Sequence, residues 1–207
     1  MGSSIDFGWR TGGYDAVHVL AISGSLRSVS SNTALLRAAA TLAPRGLSVT
    51  LYEGLADLPH FNPDLDDEAN PSPRVREFRE ALRAADGLMI CSPEYAHGVP
   101  GSLKNALDWV VGSGELSGKP VALINASPRA THAQESLREI ITTMDATIIP
   151  GASVTVPVQG RKLDVGAIVA DPALSSALSS ALEAMASAIV CGPIGEREPP
   201  DGPESAQ

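Results

Sequence analysis

Aromatic residues are scarce in this 207-residue chain: three Phe, three Tyr and two Trp make up 4% of it, although hydrophobic residues together reach 43%. That apolar content suffices for one well-buried core, which must then be packed by Ala, Val, Leu and Ile rather than by rings. Cysteine is scarcer still, with only Cys91 and Cys191, far apart in the chain. Two such residues exclude a disulfide framework, and the apolar run around Cys91 marks it as a buried, reduced thiol. Basic blocks are absent and the net charge is −9, so no electrostatic footprint exists for a nucleic-acid backbone. His18, His60 and His132 have no metal-ligand spacing among themselves or with the cysteines, and no metal site is expected. No apolar run approaches the length that crosses a bilayer. Residues 1–15 lack a signal peptide's apolar centre, and Asp6 stands where a myristoylation signal wants Ser or Thr. These absences predict a soluble, cytoplasmic chain with no nucleic-acid and no membrane partner.

What is present is a regular alternation. Apolar strand patterns fall at 17–23, 47–51, 87–92 and 120–125, with an interrupted fifth at 147–150 and 154–156. Between them lie helical spacings: Leu35, Leu36, Ala39 and Leu42; Val75, Phe78, Leu82 and Ala85; Leu103, Leu107, Val110 and Val111; Leu137, Ile140, Ile141 and Met144; and finally Leu174, Leu178, Leu182, Met185 and Ile189. Ser72 and Pro73 supply an N-cap and a first-turn proline for the second helix. Strands that read as continuous apolar runs are buried on both faces, which predicts an α/β fold: a doubly wound, five-stranded parallel sheet with helices on both faces. Right-handed crossovers make 2-1-3-4-5 the simplest strand order, and a ligand then binds outside the C-terminal ends of the first and third strands. The domain is expected over residues 16–191, with disordered tails at 1–15 and at 192–207, the latter too polar to offset its ordering entropy.

The first strand runs into Gly24-Ser25-Leu26-Arg27-Ser28-Val29-Ser30-Ser31-Asn32-Thr33 and then a helix. The first N–H groups of a helix have no intrahelical partner and carry partial positive charge, so they stabilise an anion before any side chain acts. Hydroxyls of Ser25, Ser30, Ser31 and Thr33 and the guanidinium of Arg27 are placed to complete the shell around a terminal phosphate. A site of that kind narrows the ligand to a nucleotide or a phosphorylated cofactor. Gly-x-Gly-x-x-Gly is missing, which argues against a Rossmann dehydrogenase. The loop after the third strand, Pro93-Glu94-Tyr95-Ala96-His97-Gly98, is stiffened by proline and glycine and suits a flat polar ring. Glu94 is expected to fix this loop through hydrogen bonds, and Lys104 and Asp108 to pair on one helix surface. The Pro-, Asp- and Asn-rich segment 52–71 is expected over the pocket or at a subunit interface.

Gly24 to Asn32, Pro93-Glu94-Tyr95 and Pro100-Gly101-Ser102-Leu103-Lys104-Asn105-Ala106-Leu107-Asp108-Trp109 together resemble the NADPH-dependent FMN reductase family. The resemblance implies a flavodoxin-like fold that binds FMN and works as a homodimer or homotetramer. It implies that Ser25, Arg27, Ser30 and Asn32 hold the phosphate and ribityl end, with Ser31 and Thr33 close by. Pro93, Glu94 and Tyr95 would line the flavin ring, with Ala96, His97 and Gly98 completing that loop and Ser127 as a further contact. Ala96 stands where the family commonly has Asn, and Asn125 to Ala130 replaces a Gly-rich turn, with Pro128 lacking a donor. The implied activity is hydride transfer from NADPH or NADH through FMN to a small-molecule acceptor: free flavin, quinone, azo compound or metal oxyanion. The alternatives are a flavodoxin-like electron carrier and a flavin-binding sensor without turnover.

Overall fold

Five strands, β1 (Val17–Ser23), β2 (Leu47–Tyr52), β3 (Gly87–Cys91), β4 (Pro120–Ile124) and β5 (Thr147–Ile148), pair entirely in parallel in the order β2-β1-β3-β4-β5. The structure is a computed structural model that describes residues 17–67, 71–158 and 160–192. Apart from Gly192, the expected tails at 1–15 and 192–207 lie outside the described residues.

Alternation along each central strand divides the core in two. Val19, Ala21, Met89, Cys91, Ala122 and Ile124 face one side, where α1 (Ser31–Leu42), α5 (Val165–Ala170) and α6 (Pro172–Cys191) pack. Leu20, Ile22, Leu88, Ile90, Val121 and Leu123 face the other, against α2 (Pro73–Ala84), α3 (Gly101–Val111) and α4 (Thr131–Thr143). Both layers are needed because β1, β3 and β4 carry apolar side chains on each face. At the edge, β2 alternates instead, with Leu47 and Val49 buried and Ser48 and Thr50 exposed.

The structure bears out the interruption of the fifth strand and differs from the sequence reading at four other places. The fifth strand is interrupted as expected: β5 is two residues long, because a 3-10 turn at Pro150–Ala152 lifts the chain off the sheet. It returns beyond the end of β4, where Asn125 donates to the Val154 carbonyl at 2.9 Å and accepts from Val156 N–H at 2.8 Å. A short helix, α5, precedes the last one and is capped by Asp164, which accepts from Ala167 N–H at 2.8 Å. Ser72 does occupy the N-cap position of α2, yet its side chain makes no capping bond. By length and composition α6 is apolar enough to cross a bilayer, with mean hydropathy 1.4 over its best window. Leu174, Leu178, Leu182 and Met185 nevertheless bury one face of it against the sheet, as in a core helix.

The fourth difference concerns the segment after β2, expected over the pocket or at a subunit interface: its described residues do not line the pocket. It is strapped to α3: Asn105 accepts from Phe61 N–H at 2.8 Å, and Trp109 Nε1 donates to the Pro59 carbonyl at 2.8 Å. Its far end is held by Arg79 of α2, a guanidinium only 2% exposed that donates to Asp66 at 2.7 Å and to the Trp109 carbonyl at 2.6 Å. Leaving any of those partners without Arg79 would bury an unpaired polar group, so this ion pair ties α2, α3 and the long connection together.

Candidate active site

At the C-terminal ends of β1, β3 and β4 lies a cavity of about 660 Å3. The β1 and β3 exits are pinned together, since Gly24 N–H donates to the Cys91 carbonyl at 2.9 Å. The approach is close: a Cβ on Gly24 would stand 2.7 Å from Ser92 Oγ and 3.1 Å from Leu103, so a larger residue would have to displace the Ser92 side chain. Beneath the cavity Cys91 is fully buried, and its thiol donates to Asn32 Oδ1 at 3.2 Å. Burial pushes the Cys91 thiol far up, which keeps it protonated and inert.

The loop from β1 to α1 is shaped by its own hydroxyls. Ser23 Oγ accepts from Ser25 N–H at 3.3 Å, Ser25 Oγ accepts from Arg27 N–H at 3.4 Å, and Ser30, the N-cap of α1, accepts from Thr33 N–H at 3.3 Å. These bonds use hydroxyl lone pairs and leave the hydroxyl protons of Ser25 and Ser30 free to donate. The N–H groups of Ser31 and Asn32 have no partner among the described residues, as expected in the first turn. Arg27 is exposed, lines the cavity and has no ion-pair partner among the described residues. One end of the cavity thus gathers unpaired helix N–H groups, free hydroxyl protons and a guanidinium, a donor set that can hold an anion.

The rest of the wall is flatter and less polar. Pro93, Tyr95, Ala126, Pro128 and Pro157 line it, and three of these are prolines, rigid and without an N–H. Glu94 lines the cavity too, but its Oε2 accepts from Ala133 N–H at 2.9 Å, in the first turn of α4. The N-cap residue of that helix is Ala130, which has no side-chain acceptor, so Glu94 caps α4 from another loop. The expected role of Glu94 as a loop-fixing hydrogen bonder therefore takes the form of a tether between the β3 and β4 exits.

Of the residues expected at the site, Ser25, Arg27, Ser30, Ser31, Asn32, Pro93, Glu94, Tyr95 and Ser127 line one cavity. Thr33, Ala96, His97 and Gly98 do not. The Thr33 hydroxyl lies 2.9 Å from Ser23 Oγ, beneath the loop. Tyr95 and Gly98 exchange two backbone bonds around a tight turn in which Ala96 and His97 have φ of 50° and 61°. That left-handed geometry is where Asn or Gly is preferred, so Ala96 and His97 hold it under strain. The His97 ring turns outward and stacks on His132, with centroids 4.3 Å apart. Lys104 and Asp108 form their pair on α3, away from the cavity.

Ser92, Asn125, Ala126, Pro128, Arg129, Ala130, Pro157 and Gly160 also line the cavity, although the sequence reading named none of them as a binding residue. Ser92 directly follows β3 and residues 125–130 form the loop that leaves β4, so these were accessible to the rule that ligands sit at C-terminal strand ends. Pro157 and Gly160 depend on the return of the chain past β5, which no local pattern records.

An anion cradle at a strand–helix turn joined to a proline-walled slot suits a phosphorylated, flat, ring-bearing cofactor. A model of the NADPH-dependent FMN reductase family matches residues 17–160. An NAD(P)H-dependent FMN reductase of Pseudomonas aeruginosa is 40% identical over 162 residues, spanning 72% of this chain and 86% of the relative. A quinone reductase of Escherichia coli is 34% identical over 140 residues, spanning 65% and 74%. Among solved structures, FerB, a flavoenzyme NAD(P)H:(acceptor) oxidoreductase from Paracoccus denitrificans, aligns with a TM-score of 0.69 at 27% identity, over 84% of this chain and 98% of that one.

Proposed function

The chain belongs to the NADPH-dependent FMN reductase family, and from that premise we propose that it binds FMN in the cavity over β1, β3 and β4 and reduces a quinone or free flavin at the expense of NAD(P)H. The observation that carries this reading is the pairing of two unlike ends in one cavity: unpartnered α1 N–H groups with Arg27 at one, and a rigid, weakly polar slot at the other. Ser25, Arg27, Ser30, Ser31 and Asn32 hold the phosphate and ribityl chain. Pro93, Tyr95 and Ser127 bracket the ring, while Glu94 fixes the distance between the loops that do so. The chemistry FMN supplies when bound is a two-electron relay: a hydride is received from NAD(P)H and two electrons pass on to the acceptor. The protein's own task is to orient the ring, leave one face open to both substrates in turn and stabilise negative charge that develops on reduction. No side chain is needed as nucleophile or general acid. Azo compounds and metal oxyanions are further acceptors of the same electron demand, and a cytoplasmic homodimer or homotetramer is the assembly this reading expects.

The test is anaerobic stopped-flow mixing of FMN-loaded protein with NADPH and then NADH. Rapid bleaching of the oxidised flavin band, restored by a quinone, supports the reductase. A flavin that stays oxidised with both nucleotides leaves an electron carrier or sensor and overturns the proposal.

A further inference from the structure

The β4–α4 loop faces the cavity with almost no backbone donors to offer. Ser127 N–H is held by Asn125 Oδ1 at 3.0 Å, Arg129 N–H by Ser127 Oγ at 3.2 Å, and Ala130 N–H by the Ser127 carbonyl at 3.1 Å, while Pro128 has none. What this loop can present to a ligand is therefore side chain: the Ser127 hydroxyl and the Arg129 guanidinium. Arg129 is exposed, lines the cavity and has no ion-pair partner among the described residues. The lining carboxylate, Glu94, is committed to Ala133.

Strand order separates this cation from the phosphate end. β4 lies beyond β3 from β1, so the two loops leave the sheet two strand spacings apart, about 9.5 Å. A ligand anchored by its phosphate at α1 must cross the end of β3 before it reaches Arg129, and the part that arrives there is the ring. In FMN the ring half that needs donors is the pyrimidine, whose N1 and adjacent carbonyl gather negative charge on two-electron reduction. A guanidinium beside that half stabilises the reduced cofactor more than the oxidised one, because only the former carries the charge.

Resting on the FMN reading above, we propose that Arg129 is the charge-stabilising residue for the flavin pyrimidine, replacing backbone amides that this loop has already spent on itself, and that it thereby sets the reduction potential of the bound FMN. Arg27 does the separate work of phosphate retention.

The experiment compares wild type with Arg129→Gln, Arg129→Lys and Arg27→Ala, each loaded with FMN and titrated for midpoint potential under anaerobic conditions. Arg129→Gln should lose about tenfold in preference for reduced over oxidised FMN, which is about 30 mV more negative for a two-electron couple. Arg129→Lys, which keeps the charge without the planar fork, should lie between Gln and wild type. Arg27→Ala should lower FMN affinity in both redox states alike and leave the potential in place. Where a variant releases FMN on purification, the same quantity is read from its dissociation constants for oxidised and dithionite-reduced FMN. An unchanged potential in Arg129→Gln overturns the proposal, and a changed NADPH-to-NADH preference at unchanged potential overturns it in favour of a nucleotide-phosphate contact. Wild-type protein that takes up no FMN at all would instead remove the underlying reading, so the two failures are distinct.

Discussion

Replacing Glu94 by Ala removes the side-chain acceptor at the start of α4, a thirteen-residue helix whose N-cap position is occupied by Ala130. The bond is to Ala133 N–H at 2.9 Å, and Glu94 reaches it from the loop after β3. Loss of an N-cap costs about 0.5–2 kcal/mol, and a carboxylate next to the positive end of a helix contributes within that range. For a chain of this length each kcal/mol moves the unfolding midpoint by about 2–4 °C, so Glu94→Ala should melt about 1–8 °C below wild type. The same change frees Pro93 and Tyr95 from the β4 exit, and FMN affinity should fall by up to about tenfold, the equivalent of about 1.4 kcal/mol. Glu94→Gln keeps an acceptor oxygen and loses the charge, so it should lie between the two. Thermal unfolding by circular dichroism and FMN fluorescence quenching measure both effects, and amide exchange should show faster opening in the first turn of α4 alone. A melting point indistinguishable from wild type together with unaltered FMN affinity would refute the tether.

Three further outcomes follow from the same contacts. Arg27→Ala should weaken FMN binding by about 10- to 100-fold, the loss of a charge-assisted phosphate contact, with little change in melting temperature because the residue is exposed. Arg79→Ala should cost about 3–5 kcal/mol in denaturant unfolding, since it strands Asp66 and the Trp109 carbonyl without their partner. Asp171, the N-cap of α6, is held below the ordinary carboxyl value of 3.8 first by Leu174 N–H and also by Arg161 and Ala173 N–H. A carboxyl lowered in the folded state stabilises the fold fully above that ordinary value and loses its contribution as the pH falls below it. Asp171→Asn should therefore show a flatter acid limb in a stability–pH profile than wild type.

The four strands β1 to β4 were legible because each is a short apolar run bounded by turn residues, and right-handed crossovers then leave few orders for them. The α1 N-terminus was legible for a local reason as well: Ser30, Ser31 and Asn32 sit between an apolar strand and a helical period. What stayed hidden is long-range. Nothing near Glu94 announces that it caps a helix starting 37 residues later, and His97 meets His132 only because two loops leave adjacent strands. Segment 52–71 points, by its Pro, Asp and Asn content, to a place over the pocket or at a subunit interface. Its partners Asn105, Trp109 and Arg79 lie on α3 and α2, and they fix it to the side of the domain. Arg129 carries no periodic signal at all, and its importance emerges only when the donors around it are found to be already used.

The central claim is that α1 and Arg27 anchor a phosphate, and parallel titration with FMN and with riboflavin, which has the same ring and no phosphate, tests it most directly. FMN should bind at least about 100-fold more tightly than riboflavin, the worth of a charge-assisted contact combined with the helix N-terminus, and added salt should narrow the gap. Equal affinity for the two ligands would contradict the account at its foundation.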